Sequence, residues 1–133
     1  MDTHEYLKSF FGGKSFDDLL GMAASSDPNE VLLLSSGISK MVKDQGKELT
    51  STQLRQLLNE VKNDDFAANR ADLARALPKL VYMEARQDKR NAQNVISFIR
   101  HLAGSTAIST NENSYTAFKD ILNSVVAYHK LHH

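Results

Sequence analysis

The chain has 133 residues, 41% hydrophobic and 24% charged, a composition that suits one globular domain spanning 1–133 and excludes a disordered tail. It has no cysteine, which excludes disulfides, thiol catalysis and thiolate metal sites and fits a reducing compartment. Its 16 basic and 16 acidic residues cancel, unlike the basic surplus usual in a free-standing nucleic-acid binder.

The charge is unevenly spread. Residues 1–30 hold two basic and six acidic residues, a balance of −4, and residues 70–100 hold seven basic and three acidic, a balance of +4. Such asymmetry suggests a local anionic partner. The N-terminus shows no basic segment followed by an apolar run, and no stretch approaches the about 20 apolar residues of a membrane span. The expectation is a soluble cytoplasmic protein.

Residues 4–11 read as a short helix with Tyr6, Leu7, Phe10 and Phe11 as apolar contacts, ended by Gly12-Gly13. The string GGKS at 12–15 resembles a phosphate-binding loop, but the full pattern needs a glycine where Lys8 stands, and no strand precedes it. A helix end followed by the next N-cap is the expected reading. Ser15 then starts a second short helix, with Asp17 and Asp18 in its first turn. Asp27-Pro28-Asn29-Glu30 is a strong helix start: Asp27 caps, Pro28 occupies the first helical position, and Glu30 stands where a capping box would close. That helix runs to about Gln45 with a buried stripe of Val31, Leu34, Ile38, Met41 and Val42, and stops at Gly46. The additional Leu32 and Leu33 suggest burial on two sides. Thr50-Ser51-Thr52-Gln53 is a capping box ahead of Leu54, Leu57, Leu58 and Val61, and the polar face of this helix carries Arg55, Asn59 and Lys62.

Residues 70–90, RADLARALPKLVYMEARQDKR, have two chemically different sides if helical. Leu73, Leu77, Leu80 and Val81 share one arc; Arg75, Lys79, Tyr82, Arg86, Lys89 and Arg90 fall opposite, within about 100° of one another. Pro78 implies either a kink near 74–78 or a break at Leu77 with a new helix starting at the proline. The residues from Lys79 to Arg90 are expected to share a face in either case. Ala92, Val95, Ile96, Ile99 and Leu102 continue helically until Gly104-Ser105-Thr106 is expected to break the pattern. Asn111 or Asn113 is the candidate cap of a last helix carrying Tyr115, Phe118, Ile121, Leu122, Val125 and Val126. No segment alternates over a strand length. The predicted fold is all-α, a compact bundle of five main helices with one or two short extra helices at the N-terminus.

Little here favours catalysis. The five histidines, His4, His101, His129, His132 and His133, lie near termini or helix ends, and no Gly-x-Ser-x-Gly elbow is present. Asp17-Asp18 and Asp64-Asp65 are sequence neighbours at helix ends, where dipole complementation explains them. His129 and His133 form an i, i+4 pair without a nearby carboxylate, so neither a metal nor any other cofactor is expected. The basic row is the feature that stands out. It could be a solvated face paired with Asp72, Glu84 and Asp88. It also gathers guanidinium groups suited to phosphate around Tyr82, a ring able to stack on a base.

The sequence resembles the small α-helical subunit of type III-A CRISPR RNA-guided effector complexes, of Csm type. The resemblance rests on Thr50-Ser51-Thr52-Gln53-Leu54-Arg55, on Leu77-Pro78-Lys79-Leu80-Val81-Tyr82 followed by Ala85-Arg86, and on Val126-Ala127-Tyr128-His129-Lys130. Val81 stands where alanine is more usual, and residues 1–45 carry no matched motif. The resemblance implies a helical bundle that is not an enzyme. It implies copies stacking along the complex beside other subunits, with contacts to the backbone of guide RNA and target RNA that ignore sequence. By position it points to Arg55, Lys79, Tyr82 and Arg86, to which the basic row adds Arg75, Lys89 and Arg90 and the polar face of the preceding helix adds Lys62. The alternative is a helical protein–protein adaptor whose basic face pairs with an acidic partner. A small DNA-binding regulator is a weaker third reading, because residues 61–70 make a poor recognition helix.

Overall fold

The computed structural model describes residues 5–61, 66–109 and 113–133. Among the described residues every regular element is an α-helix: α1 (Glu5–Phe11), α2 (Phe16–Ala23), α3 (Pro28–Gln45), α4 (Ser51–Val61), α5 (Phe66–Ala85), α6 (Arg90–Ile108) and α7 (Asn113–His132). Two short helices thus precede five long ones, the all-α bundle expected from the periodicity.

Local chemistry sets most of the boundaries. Gly12 and Gly13 adopt φ of 63° and 78°, a region other residues avoid, and turn the chain out of α1. Ser15 and Asp18 close a full capping box on α2, so GGKS is a helix end and a helix start, as expected. Asp27 caps α3 by accepting from the Asn29 N–H at 2.9 Å. Glu30 does not close the box; its carboxylate accepts from the Ser25 hydroxyl at 2.5 Å, and Ser25 in turn accepts from the Asp27 N–H at 3.0 Å. Thr50 and Gln53 exchange both capping-box bonds at the start of α4, at 2.9 and 3.0 Å.

Helix α5 packs along α6, and α3 along α7. Helix α4 bridges α5 and α7, α2 sits against α3, α6 and α7, and α1 rests on α3. At Gly37 α1 and α3 approach closely: a Cβ there would lie 2.6 Å from the Phe10 carbonyl oxygen and 2.8 Å from the Phe11 ring. Phe98, fully buried on α6, joins the short helices to the core. It stacks on Phe11 at 5.2 Å and meets Tyr6 edge-on at 6.0 Å, within the range where aromatic pairs add to simple burial.

Four expectations are corrected. Val31 is 36% exposed, at the edge of the α3 stripe, where it lines a surface cleft with Ala23 and Asp120. Leu32 and Leu33 are 65% and 60% exposed, so α3 shows the second apolar side without covering it. Helix α6 runs through Gly104-Ser105-Thr106 to Ile108, because Thr106 is fully buried and donates its hydroxyl to the Leu102 carbonyl at 2.8 Å. His101 accordingly lies within α6. Asn111 and Asp64-Asp65 fall outside the described residues.

Candidate nucleic-acid interface

Helix α5 continues from Phe66 to Ala85 with Pro78 inside it, which excludes a break at Leu77. Leu73, Ala76 and Leu80 form its buried side, Leu77 is half-buried, and Val81 is exposed, contrary to its expected place in the core arc. Arg75, Lys79, Tyr82 and Arg86 are all exposed. Their offsets of four, seven and eleven residues keep them within about 60° of one another, a stripe about 16 Å long on one side of α5. The Arg86 guanidinium lies over the Tyr82 ring, 5.5 Å from its centroid, a cation–π arrangement that holds ring and charge together.

Lys89 and Arg90 do not belong to this stripe. Helix α5 stops at Ala85 because its last carbonyls find other partners. The Gln87 N–H turns back to the Glu84 carbonyl at 3.2 Å, and the Gln87 side-chain amide donates to the Met83 carbonyl, also at 3.2 Å. The Gln93 side-chain amide then donates to the Gln87 carbonyl at 2.9 Å. Lys89 becomes the extended N-cap of α6 and Arg90 its first residue, both exposed. The expectation that the cations from Lys79 to Arg90 share one helix face is therefore corrected. Both cations stand at the positive end of the α6 dipole, opposite to the usual preference, and the N-cap makes no side-chain capping bond.

Helix α4 supplies the facing wall. Gln56 and Asn59 meet Pro78, Lys79, Tyr82 and Met83 around a groove of about 550 Å³. Arg55 is exposed one turn before Asn59, on the same side of α4. Helix packing thus brings α4, which the first motif begins, against the Lys79–Tyr82 turn of the second. Lys62 and the side chains of Arg70 and Asp72 lie outside the described residues. The walls formed by Gln56, Pro78 and Met83 were not anticipated. Their only signal is spacing, Gln56 and Asn59 at i, i+3 and Lys79 and Met83 at i, i+4.

The acidic residues divide. Glu84 pairs with Arg100 of α6 at 2.6 Å and so fastens α5 to α6. Asp88 is exposed in the turn before α6.

The third motif has a structural place. His129 is buried at 5% exposure, and its Nε2–H donates to the Leu49 carbonyl at 2.8 Å. Leu49 immediately precedes the Thr50 cap of α4. Tyr128 is half-buried and stacks on His132 at 6.5 Å. His132 shares a hydrogen bond with the Ser39 hydroxyl at 3.0 Å, and His133 donates to the Val42 carbonyl at 3.1 Å. The His129 and His133 side chains are thus engaged with backbone carbonyls. Half-buried His101 donates Nδ1–H to the Ser97 carbonyl at 2.8 Å, and the buried Ser97 hydroxyl bonds to Tyr6 at 3.0 Å. No described helix is long and apolar enough to cross a membrane.

A family model described as Csm2 Type III-A matches residues 25–133. The match starts before α3 and reaches further toward the N-terminus than the three sequence motifs, leaving α1 and α2 outside it. No curated protein and no solved structure matches the chain.

Proposed function

The chain belongs to the Csm2 Type III-A family, and hence to the small subunits of multi-subunit type III-A CRISPR-Cas effector complexes; from that we propose that it is a non-catalytic cytoplasmic subunit, one domain over 1–133, whose basic surface holds guide and target RNA by their backbones without reading sequence. The observation that carries the RNA reading is the stripe of Arg75, Lys79, Tyr82 and Arg86, all exposed, whose Lys79 and Tyr82 border the groove against α4. Phosphate oxygens suit guanidinium forks, and a ring among the cations suits an unpaired nucleotide. Lys89 and Arg90 extend the positive surface around the corner at the uncapped start of α6. A net charge of zero fits a subunit held in place by protein neighbours, which needs one positive face toward RNA and other faces toward protein.

The protein-facing side is the N-terminal part of α3. Val31, Leu32 and Leu33 are exposed there, and Asp17, Asp18, Asp27 and Glu30 are exposed nearby in sequence. Apolar side chains rimmed by charge support contacts to other subunits, copies of this chain included.

Reversing Lys79 and Arg86 to glutamate tests the RNA reading in the assembled complex. RNA retention is expected to fall and its salt dependence to flatten by roughly 0.7–0.9 of a log–log unit per lost phosphate contact. The bundle is expected to stay folded, since both side chains are exposed. Unchanged retention would refute the reading. An adaptor that uses the same face for an acidic protein would be indifferent to competing single-stranded RNA.

A further inference from the structure

The groove between α4 and α5 contains more than a phosphate-binding surface requires. A proline ring and a thioether offer nothing to a phosphate, yet Pro78 and Met83 form its walls beside Tyr82. These are the surfaces that suit the face of an aromatic heterocycle. Across from them, Gln56 and Asn59 each present an amide with both donors and an acceptor, which matches the mixed edge of a nucleobase. At about 550 Å³ the groove falls within the roughly 300–1,000 Å³ usual for small-ligand sites. It is open along one side, as a base still attached to its strand would need. Arg86 covers Tyr82 from the turn beyond, and Lys79 stands in the wall itself.

We infer that this groove receives one unstacked nucleobase of an RNA strand. The base stacks against Tyr82, with Gln56 and Asn59 at its edge and Lys79 and Arg86 placed for the flanking phosphates. The inference rests on the proposal that the α5 stripe faces RNA, and it adds a contribution from the base itself. Because a side-chain amide can be turned to offer either its donors or its acceptor, any of the bases can be met, and recognition stays tolerant of sequence. A base within a continuous duplex keeps its face covered by its neighbours, so the groove selects strands with a displaced or unpaired nucleotide.

The test uses the full chain at low salt, where phosphate contacts are strongest. Fluorescence anisotropy compares two dye-labelled octamers: one wholly abasic ribose-phosphate, the other carrying a single central 2-aminopurine. The octamer with the base is expected to bind about five- to a hundredfold more tightly, with the same salt slope and with its 2-aminopurine emission quenched. Tyr82→Ala is expected to abolish the difference between the octamers and Tyr82→Phe to keep it. Arg75→Gln, outside the groove, should weaken both alike and lower the slope by about 0.7. Equal binding of the two octamers by the unmodified protein overturns the base groove and leaves the backbone reading standing. If neither these octamers nor ordinary single-stranded RNA binds with any salt dependence, the backbone reading falls and the groove falls with it.

Discussion

His129 offers the sharpest test of how the bundle is held. Its ring is buried, and its Nε2–H donates to the Leu49 carbonyl at 2.8 Å, joining α7 to the segment between α3 and α4. His129→Leu keeps a similar volume and removes the donor. The Leu49 carbonyl then loses its partner in a buried setting, a cost of about 1–3 kcal/mol. His129→Ala adds a cavity, which brings the total to roughly 3–5 kcal/mol. At a typical dependence of about 1–3 kcal/mol per molar urea, the leucine variant should lower the unfolding midpoint by about 1 M and the alanine variant by more. His133 makes a similar bond to the Val42 carbonyl at 3.1 Å but is exposed. Water can replace it there, so His133→Ala should cost no more than about 0.5 kcal/mol. Urea unfolding followed by far-UV circular dichroism checks all three variants. A leucine variant as stable as the unmodified protein, or a His133→Ala loss matching it, would refute the assignment of His129 as the buried fastener.

Gly37→Ala places a Cβ 2.6 Å from the Phe10 carbonyl oxygen, a backbone atom that cannot swing aside. The expected loss is about 1–3 kcal/mol, with amide exchange in α1 rising more than in α5 or α6. Replacing Leu32 and Leu33 together by serine should leave the unfolding midpoint of the isolated chain within about 0.5 kcal/mol, since both are exposed. Co-purification with the remaining subunits of the complex should drop, and full retention would remove this face from the list of subunit contacts.

The parts of the fold that were legible in the sequence are those written in local chemistry. Ser15, Asp27 and Thr50 each cap the helix predicted for them, because a capping side chain bonds to a backbone group only two or three residues away. The end of α5 was not legible. No glycine or proline marks it, and the amides of Gln87 and Gln93 that take up the last carbonyls are ordinary helix-tolerant residues. Two residues too many, Lys89 and Arg90, were therefore assigned to one face. The error at Gly104 runs the other way: a cluster of weak helix formers stays helical because Thr106 is buried and bonded within the helix. The groove was beyond reach for a different reason. Arg55, Lys79, Tyr82 and Arg86 could be named individually, but which residues of α4 face which residues of α5 depends on how two helices register against each other, and periodicity within each one carries no such information.

That register also shows how three short motifs, spread from Thr50 to Lys130, come to support one another in the fold. His129 holds the Leu49 carbonyl. The next residue, Thr50, caps α4 through its exchange of bonds with Gln53. The first turns of α4 then carry Gln56 and Asn59 to the side that faces Pro78, Lys79 and Tyr82 of α5. The third motif fixes where the first begins, and the first supplies the wall opposite the second. Read separately, the motifs are a buried histidine, a helix cap and a proline-containing helix, each of which occurs in many bundles. In contact they form a chain of support running from the core beside α7 out to the groove. His129 is buried and bears on the groove through the placement of α4.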